Sequence, residues 1–380
     1  SGVYTPNRWP ATLLAPMAGF IPDSSVRRQE SSAFALKRLQ SLDPSLTGPS
    51  AVESRWDNEQ NQTFLQAISI AMACSRYTAR RMRFDIHLLY LLLRLLGRLP
   101  LRTLHGVGSF FGRLALWRHG TMAHTAAVNL AIARPELDRA ARGRLRREAL
   151  AEVGKSGAEI VKIWGGGAER ALSLVREVRG GELFDAALAA GKGVIIAAPH
   201  LGCWELLNYW LCRRTPMAIL YRPPHLAALE PLLRKVRGAL APEQVRAEGA
   251  GVRTLYKRLA AGGTVGILPD QKPRAGEGQL APFFGRDALT MVLLPRLAAR
   301  TGAAVLFAFA ERLPRGVGYR IHFLPAPEGL ADTDTATACG ALNRGVEACV
   351  ERAFTQYQWH YRRYTANNLP NPYREGAGLV

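Results

Sequence analysis

Two side chains five positions apart, His200 and Glu205, carry the clearest chemical signal in this 380-residue chain. They stand in Pro199-His200-Leu201-Gly202-Cys203-Trp204-Glu205, directly after the apolar run 193–198. An imidazole exchanges its proton near neutral pH. A carboxylate bonded to one ring nitrogen orients the ring, fixes its tautomer and makes the other nitrogen a stronger base. On a continuous helix, residues five apart point about 140° away from each other and would not meet. With His200 on a turn and Glu205 one turn into the following helix, the carboxylate is expected to reach the ring. No Gly-x-Ser-x-Gly supplies a serine nucleophile. The spacing is not the His-Glu-x-x-His of a zinc site. The expected chemistry is therefore proton abstraction from a bound substrate by His200, oriented by Glu205, without a metal or cofactor.

The elements that must hold this pair alternate. Short apolar runs at 193–198, 217–221, 264–268, 303–309 and 319–324 read as strands. Helical patterns fall between and after them, over 203–213, 226–237, 252–259, 291–301 and 336–357. This predicts an α/β fold with a mostly parallel central sheet flanked by helices on both faces. Chemistry then gathers at the carboxyl ends of the strands. Arg222 follows the second strand, where it could hold a phosphate or help a developing oxyanion. Asp270 and Gln271 follow the third strand on the same edge. Two readings stand for them: direct substrate contact, or helix capping and loop bonding.

Upstream the texture is different. Residues 1–81 are rich in scattered Pro, Ser, Thr, Asn and Gln and show no signal-peptide pattern. They read as a poorly ordered extension, with Met82 the expected natural start. Residues 84–117 are apolar but interrupted by Arg94, Arg98, Arg102 and Arg113. A bilayer span needs about 20 uninterrupted apolar residues. On one helix, Arg94, Arg98 and Arg102 would form a basic stripe opposite Leu89, Leu92, Leu93 and Leu96. Residues 82–120 thus read as helices lying in a membrane interface, ahead of a domain over 121–380. Residues 121–179 read as helical, with a start at Pro135 and a stop at Gly165-Gly166-Gly167. That glycine triplet is no phosphate loop, because no Lys-Ser/Thr follows it.

Charge narrows the partners. Lys and Arg number 50 against 30 Asp and Glu, a formal net charge of +20. Nucleic acid, an anionic membrane face or an acidic carrier protein would each suit it. Nucleic acid is disfavoured, because the basic residues are spread along helices and no zinc-finger or RNP-like pattern occurs. The 5 cysteines are widely spaced and include no Cys-x-x-Cys pair. A disulfide framework and a structural zinc are both unexpected.

The segment 199–205 resembles the H-x4-D/E block of the lysophospholipid acyltransferase superfamily. More narrowly, the chain resembles the bacterial lipid A late acyltransferases, the lauroyl/myristoyl family, from about Met82 to about Tyr364. Asn129-Leu130 with Pro135-Glu136 resembles that family's helical signature. Leu220-Tyr221-Arg222-Pro223-Pro224, with Arg237 downstream, looks like its second block. Gly266-Ile267-Leu268-Pro269-Asp270-Gln271 followed by Ala281-Pro282-Phe283-Phe284-Gly285 looks like its third. Trp359-His360-Tyr361-Arg362-Arg363-Tyr364 resembles its ending. The resemblance implies transfer of a fatty acyl chain from acyl carrier protein to a hydroxyl of a lipid A precursor. It implies this at the cytoplasmic face of an anionic inner membrane. It also implies substrate-binding roles for Arg222, Arg237, Asp270 and Gln271, with Phe283, Phe284 and Gly285 lining an acyl groove or the core. A related glycolipid or lysophospholipid acceptor would fit the same residues.

Overall fold

The computed structural model describes residues 88–117, 120–221, 243–246, 249–274, 276–366 and 369–375, all within the unit Arg81–Val380. The extension expected over 1–81, the helix expected over 226–237, and both Arg222 and Arg237 lie outside the described residues.

The chain opens with helices: α1 over 88–96, α2 (Leu101–Trp117), α3 (Thr121–Ala133), α4 (Arg139–Gly166) and the short α5 (Ala168–Leu172). Alternation follows, with β1 (Val175–Arg179), α6 (Gly181–Ala189), β2 (Val194–Ala197), α7 (Trp204–Arg214), β3 (Met217–Tyr221), β4 (Glu243–Arg246), α8 (Gly249–Ala260) and β5 (Thr264–Ile267). A hairpin, β6 (Gly278–Phe283) with β7 (Arg286–Met291), precedes α9 (Leu293–Thr301), β8 (Ala304–Arg312), β9 (Tyr319–Pro325) and α10 (Thr335–Arg352).

Seven strands make one sheet in the order β1-β9-β8-β2-β5-β3-β4. Every neighbouring pair is parallel except β8 with β9. The link 313–318 is too short for a crossover helix, so β9 must return antiparallel. The central strands β2 and β5 are buried throughout, as strands covered on both faces must be. Ile196 and Met217 pack beneath α7 with Leu206, Leu207 and Leu211. Ile195, Ala197, Val265 and Ile267 face the other way, towards Leu255 and Leu259 of α8 and Leu294 and Leu297 of α9. The mostly parallel sheet with helices on both faces is as expected.

Three local expectations fail. β1 lies in a stretch that reads as helix, but Val-Arg-Glu-Val-Arg also alternates, and parallel pairing with β9 decides for a strand. Helix α4 starts at Arg139 rather than Pro135, because the Asp138 side chain caps the Ala141 N–H. Arg94, Arg98 and Arg102 do not share one helix. The turn at 97–100 separates α1 from α2, although all three arginines remain exposed.

The helices α1 and α2 pack on α4 backbone to backbone. A Cβ on Gly154 would stand 1.9 Å from the Gly108 carbonyl oxygen. One on Gly165 would stand 1.8 Å from that of Leu93, and one on Gly112 2.0 Å from that of Leu150. Glycine on the inner face leaves the large apolar side chains outside. Leu88, Leu91, Leu92, Leu95, Leu96 and Val107 are exposed, with Phe110 at 62% and Phe111 at 60%. Among the described residues no helix is long and apolar enough to cross a membrane.

A buried ion cluster fastens these helices to the sheet. Glu159 of α4 accepts bonds from Arg312 at the end of β8, Tyr319 at the start of β9 and His105 of α2. Burial alone would raise the Glu159 pKa. The Arg312 charge and hydrogen bonds outweigh it and hold the carboxyl down at about 2.

Two outcomes follow from this packing. Gly154→Val should cost about 1–3 kcal/mol in denaturant unfolding. Gly143→Ala, where a methyl meets nothing within 4 Å, should be neutral or stabilise by up to about 1 kcal/mol. Because the folded Glu159 pKa lies below its unfolded value, its contribution is complete above about pH 4.5 and fades as pH falls towards 2. Glu159→Gln should therefore destabilise the neutral protein and flatten the acid limb of its stability profile.

Candidate active site

The loop carrying His200 is held from both sides. Ala198 continues the β2 ladder through its N–H to the Ile267 carbonyl. Gly202 has φ +62 and sits so close to β8 that a Cβ would lie 2.0 Å from the Ala310 carbonyl oxygen. The Cys203 N–H donates to that same oxygen, and Leu201 bridges Tyr357. Only glycine fits at 202. The chain then turns directly into α7, with His200 left at the carboxyl edge of the sheet.

Asp270, just past β5 on the same edge, is 1% exposed. Its Oδ1 lies 2.8 Å from His200 Nδ1, and its Oδ2 accepts the His200 backbone N–H at 2.8 Å. Gln358 Nε2 donates to Oδ2 at 2.9 Å. Burial pushes the Asp270 carboxyl up, but the His200 ring and the His200 backbone N–H hold it below the usual carboxylate range. Asp270 thus occupies the position on Nδ1 expected for Glu205. Glu205 is buried in the first turn of α7. The correction has a geometric cause: β2 and β5 are neighbours in register, so their carboxyl ends meet side by side.

An ionised Asp270 on Nδ1 requires that nitrogen to carry the proton, which leaves the Nε2 lone pair outward. Gln271 Nε2 lies 3.3 Å from His200 Nε2 and donates to Gln358 Oε1 at 3.2 Å. Of the two readings of Asp270, loop bonding holds in a specific form: it orients the imidazole. Gln271 sits at the outward ring nitrogen. Burial first and the His200 charge second depress the pKa of His360. The sequence reading gave Gln358 and His360 no role. The signal available was the place of His360 in the Trp-His-Tyr-Arg-Arg-Tyr ending, with Gln358 directly ahead of it.

That ending binds distant segments together. Asn129 of α3 donates to the carbonyls of Trp359 and Tyr361, both at 2.7 Å. The Tyr361 hydroxyl accepts the Lys272 N–H. Arg363 donates to the Leu289 carbonyl at 2.6 Å and to Thr290 Oγ1 at 3.0 Å, and lies over the Phe283 ring.

A cavity of about 680 Å³ opens at His200, Trp204 and Gln271. One part runs beneath α7, past Ile196, Leu207, Leu211, Met217, Ile219 and Gly266. The other turns around the sheet edge towards Tyr256 of α8, Arg296 and Arg300 of α9, and Lys272. Phe283, Phe284 and Gly285 are not on its wall, and of their two readings the core one holds. Phe284 and Gly285 are the positive-φ turn of the β6–β7 hairpin (φ 47 and 75). Phe284 packs on Trp359 and Phe354, and its N–H donates to Glu347. A β6–β7 hairpin places the Phe-Phe-Gly motif at a turn, away from the strand ends that line the cavity.

Residues 76–366 match the family described as bacterial lipid A biosynthesis acyltransferase. The chain is 25% identical over 271 residues to the lipid A biosynthesis lauroyltransferase of Escherichia coli (strain K12), covering 71% of this chain and 88% of that protein. It is 28% identical over 192 residues to the palmitoleoyltransferase of the same organism, 50% of this chain and 61% of that one. It is 30% identical over 156 residues to the phosphatidylinositol mannoside acyltransferase of Mycobacterium tuberculosis (strain CDC 1551 / Oshkosh), 40% of this chain and 49% of that one.

The geometry makes Asp270 the orienting carboxylate. Asp270→Asn should lower kcat by about 10²–10⁴-fold, since the neutral amide no longer enforces the tautomer or stabilises the imidazolium. KM should change little and the fold should persist. A near-wild-type rate for Asp270→Asn beside a collapsed rate for Glu205→Gln would return the role to Glu205.

Proposed function

Because the chain belongs to the bacterial lipid A biosynthesis acyltransferase family, and is thus an acyltransferase, we propose that it moves a fatty acyl chain from acyl carrier protein to a hydroxyl of a lipid A precursor. The observation that carries this reading is the His200–Asp270 pair at the mouth of an apolar cavity, with Nε2, the nitrogen not bonded to Asp270, held among the described residues only by the Gln271 amide at 3.3 Å. A sugar hydroxyl is far too weak an acid to attack a thioester unaided. His200 Nε2 takes its proton as the oxygen adds to the thioester carbonyl, and Asp270 stabilises the imidazolium that results. The tetrahedral oxyanion then collapses, the C–S bond breaks, and the imidazolium returns the proton to the departing thiolate. No acyl-enzyme is needed.

The acceptor hydroxyl displaces the Gln271 amide from Nε2, and that amide is then in reach of the carbonyl oxygen as its charge develops. Arg222 and Arg237 are assigned on the sequence to anionic groups of the substrates. Glu205 serves from inside the α7 turn next to the loop rather than on Nδ1. An acidic carrier protein and a phosphorylated lipid both favour a strongly basic enzyme.

A lipid acceptor leaves the bilayer at about 0.8 kcal/mol per buried CH₂, so the enzyme works at the membrane face. The exposed leucines of α1 and the Phe110–Phe111 pair of α2 enter the acyl boundary, and Arg94, Arg98 and Arg102 contact lipid phosphate. These features support our reading that the enzyme works on the cytoplasmic face of an inner membrane.

The mannoside acyltransferase relative supports a second reading, in which the acceptor is another phosphorylated glycolipid. Mass spectrometry of lipid A from a deletion strain, with and without the gene restored, separates the two. Loss of one acyl group that returns on complementation supports lipid A, and an unchanged lipid A rejects it.

The membrane assignment makes its own test. Phe110→Ser with Phe111→Ser should weaken flotation with anionic vesicles about tenfold or more. Changing Arg94, Arg98 and Arg102 to Glu should do so in a salt-dependent way. Unchanged flotation of both variants would make this face an ordinary surface.

A further inference from the structure

The cavity has two parts, and their linings differ in kind. Parallel strands in register point paired residues to one face. Val194, Thr264 and Met217 form one such row, and Ile196, Gly266 and Ile219 the next. Both rows face α7. The His200 end of the cavity lies past Ala198, whereas Met217 lies level with Val194 at the opposite end of the strands. Four strand residues separate these levels, about 13 Å. Between them the lining is Ile196, Leu207, Leu211, Ile219 and Gly266, with Met217 at the far end. The lining between the two levels is apolar, and the Met217 side chain, whose tip reaches back to Gly266, forms the floor of this slot.

Gly266 is the one strand residue among these that presents no side chain to the slot. It is a glycine in the middle of a fully buried central strand, where β-branched residues are the rule. Its φ is not in the left-handed region, so the backbone does not require glycine there. What glycine leaves is room for the tip of Met217. A Cβ at 266 would stand 2.8 Å from Met217 Cε and 3.8 Å from Ile219 Cγ1. The first neighbour is the mobile tip of an unbranched side chain, which can move aside into the slot. A side chain at 266 would therefore fill the channel without breaking the sheet.

We propose that the slot beneath α7 holds the acyl chain of the donor, and that Gly266 and the overlying Met217 set the chain length accepted. The proposal rests on acyl transfer as the reaction and adds to it the residues that measure the substrate. The thioester carbonyl lies at His200 and the methyl end of the chain lies against Met217. Excluded methylenes stay in water, and each costs about fourfold in kcat/KM. A two-carbon step beyond the floor should thus cost about fifteenfold.

The test measures kcat/KM for acyl carrier protein charged with saturated chains from decanoyl to stearoyl. Gly266→Val should move the preferred length at least one two-carbon step shorter, with Gly266→Ala intermediate. Met217→Ala should move it at least one step longer. A poorly folded variant would lose all lengths in parallel, so the ratio between lengths is its own control. Profiles superimposable on wild type, or a parallel loss in variants with unchanged melting, would overturn the proposal. The melting-temperature shift produced by free fatty acids of the same lengths gives a second readout. Wild type inactive with every charged carrier would reject the donor. The length assignment would still stand if the fatty-acid optimum moved with the variants, and would fall if it did not.

Discussion

Burying an ionised carboxylate is costly unless every lone pair finds a donor, and this constraint at Asp270 organises the functional half of the molecule. Its donors are the His200 backbone N–H, the His200 ring and the Gln358 amide. They come from two separated segments, the loop after β2 and the loop after α10, and meet Asp270 on a third, the loop after β5. The fold must hold all three at one point. Parallel pairing of β2 with β5 brings together the loops that follow those strands. Gly202 against Ala310, with the Gln356 side chain bonded to both the N–H and the carbonyl of Arg312, fixes the loop after α10 against the end of β8.

From that point the molecule divides into a polar side and an apolar side. Behind His200, the C-terminal loop is laced by Asn129, Tyr361 and Arg363 and has little freedom to move. In front, the cavity is lined by aliphatic side chains and edged by basic ones. A rigid base facing an adaptable greasy slot suits a reaction in which the reacting carbonyl is fixed while the rest of the chain only needs to be kept from water. The Glu159–Arg312 cluster then joins this domain to the helices whose apolar side chains face outward. The glycine contacts along α4 are the reason those side chains are left exposed.

Most strands of this arrangement were legible in the sequence. The apolar runs at 193–198, 217–221 and 264–268 read as strands, and β2 and β5, which lie within the first and last, are buried on both faces. The histidine declared itself by its turn setting. The partner carboxylate was misread, because Glu205 is near in sequence and Asp270 is near only across a strand pair that no local pattern reveals. Phe283 and Phe284 looked like groove or core because hydrophobicity does not say which side of a hairpin faces a cavity. β1 was hidden by a charge-rich alternation that fits an amphipathic helix as well as an edge strand. The arginines at 94, 98 and 102 showed period-four spacing, but Pro100 broke the helix that the spacing assumed.

The central claim is that Asp270 holds the proton on His200 Nδ1 and leaves Nε2 as the base. Nitrogen-15 NMR of the His200 ring in the folded protein, at a pH where the ring is neutral, tests it directly. The account predicts a protonated Nδ1 and a bare Nε2 in the wild type, with that preference lost in Asp270→Asn and retained in Glu205→Gln. A wild-type ring protonated on Nε2, or a tautomer indifferent to Asp270 and controlled by Glu205, would contradict it.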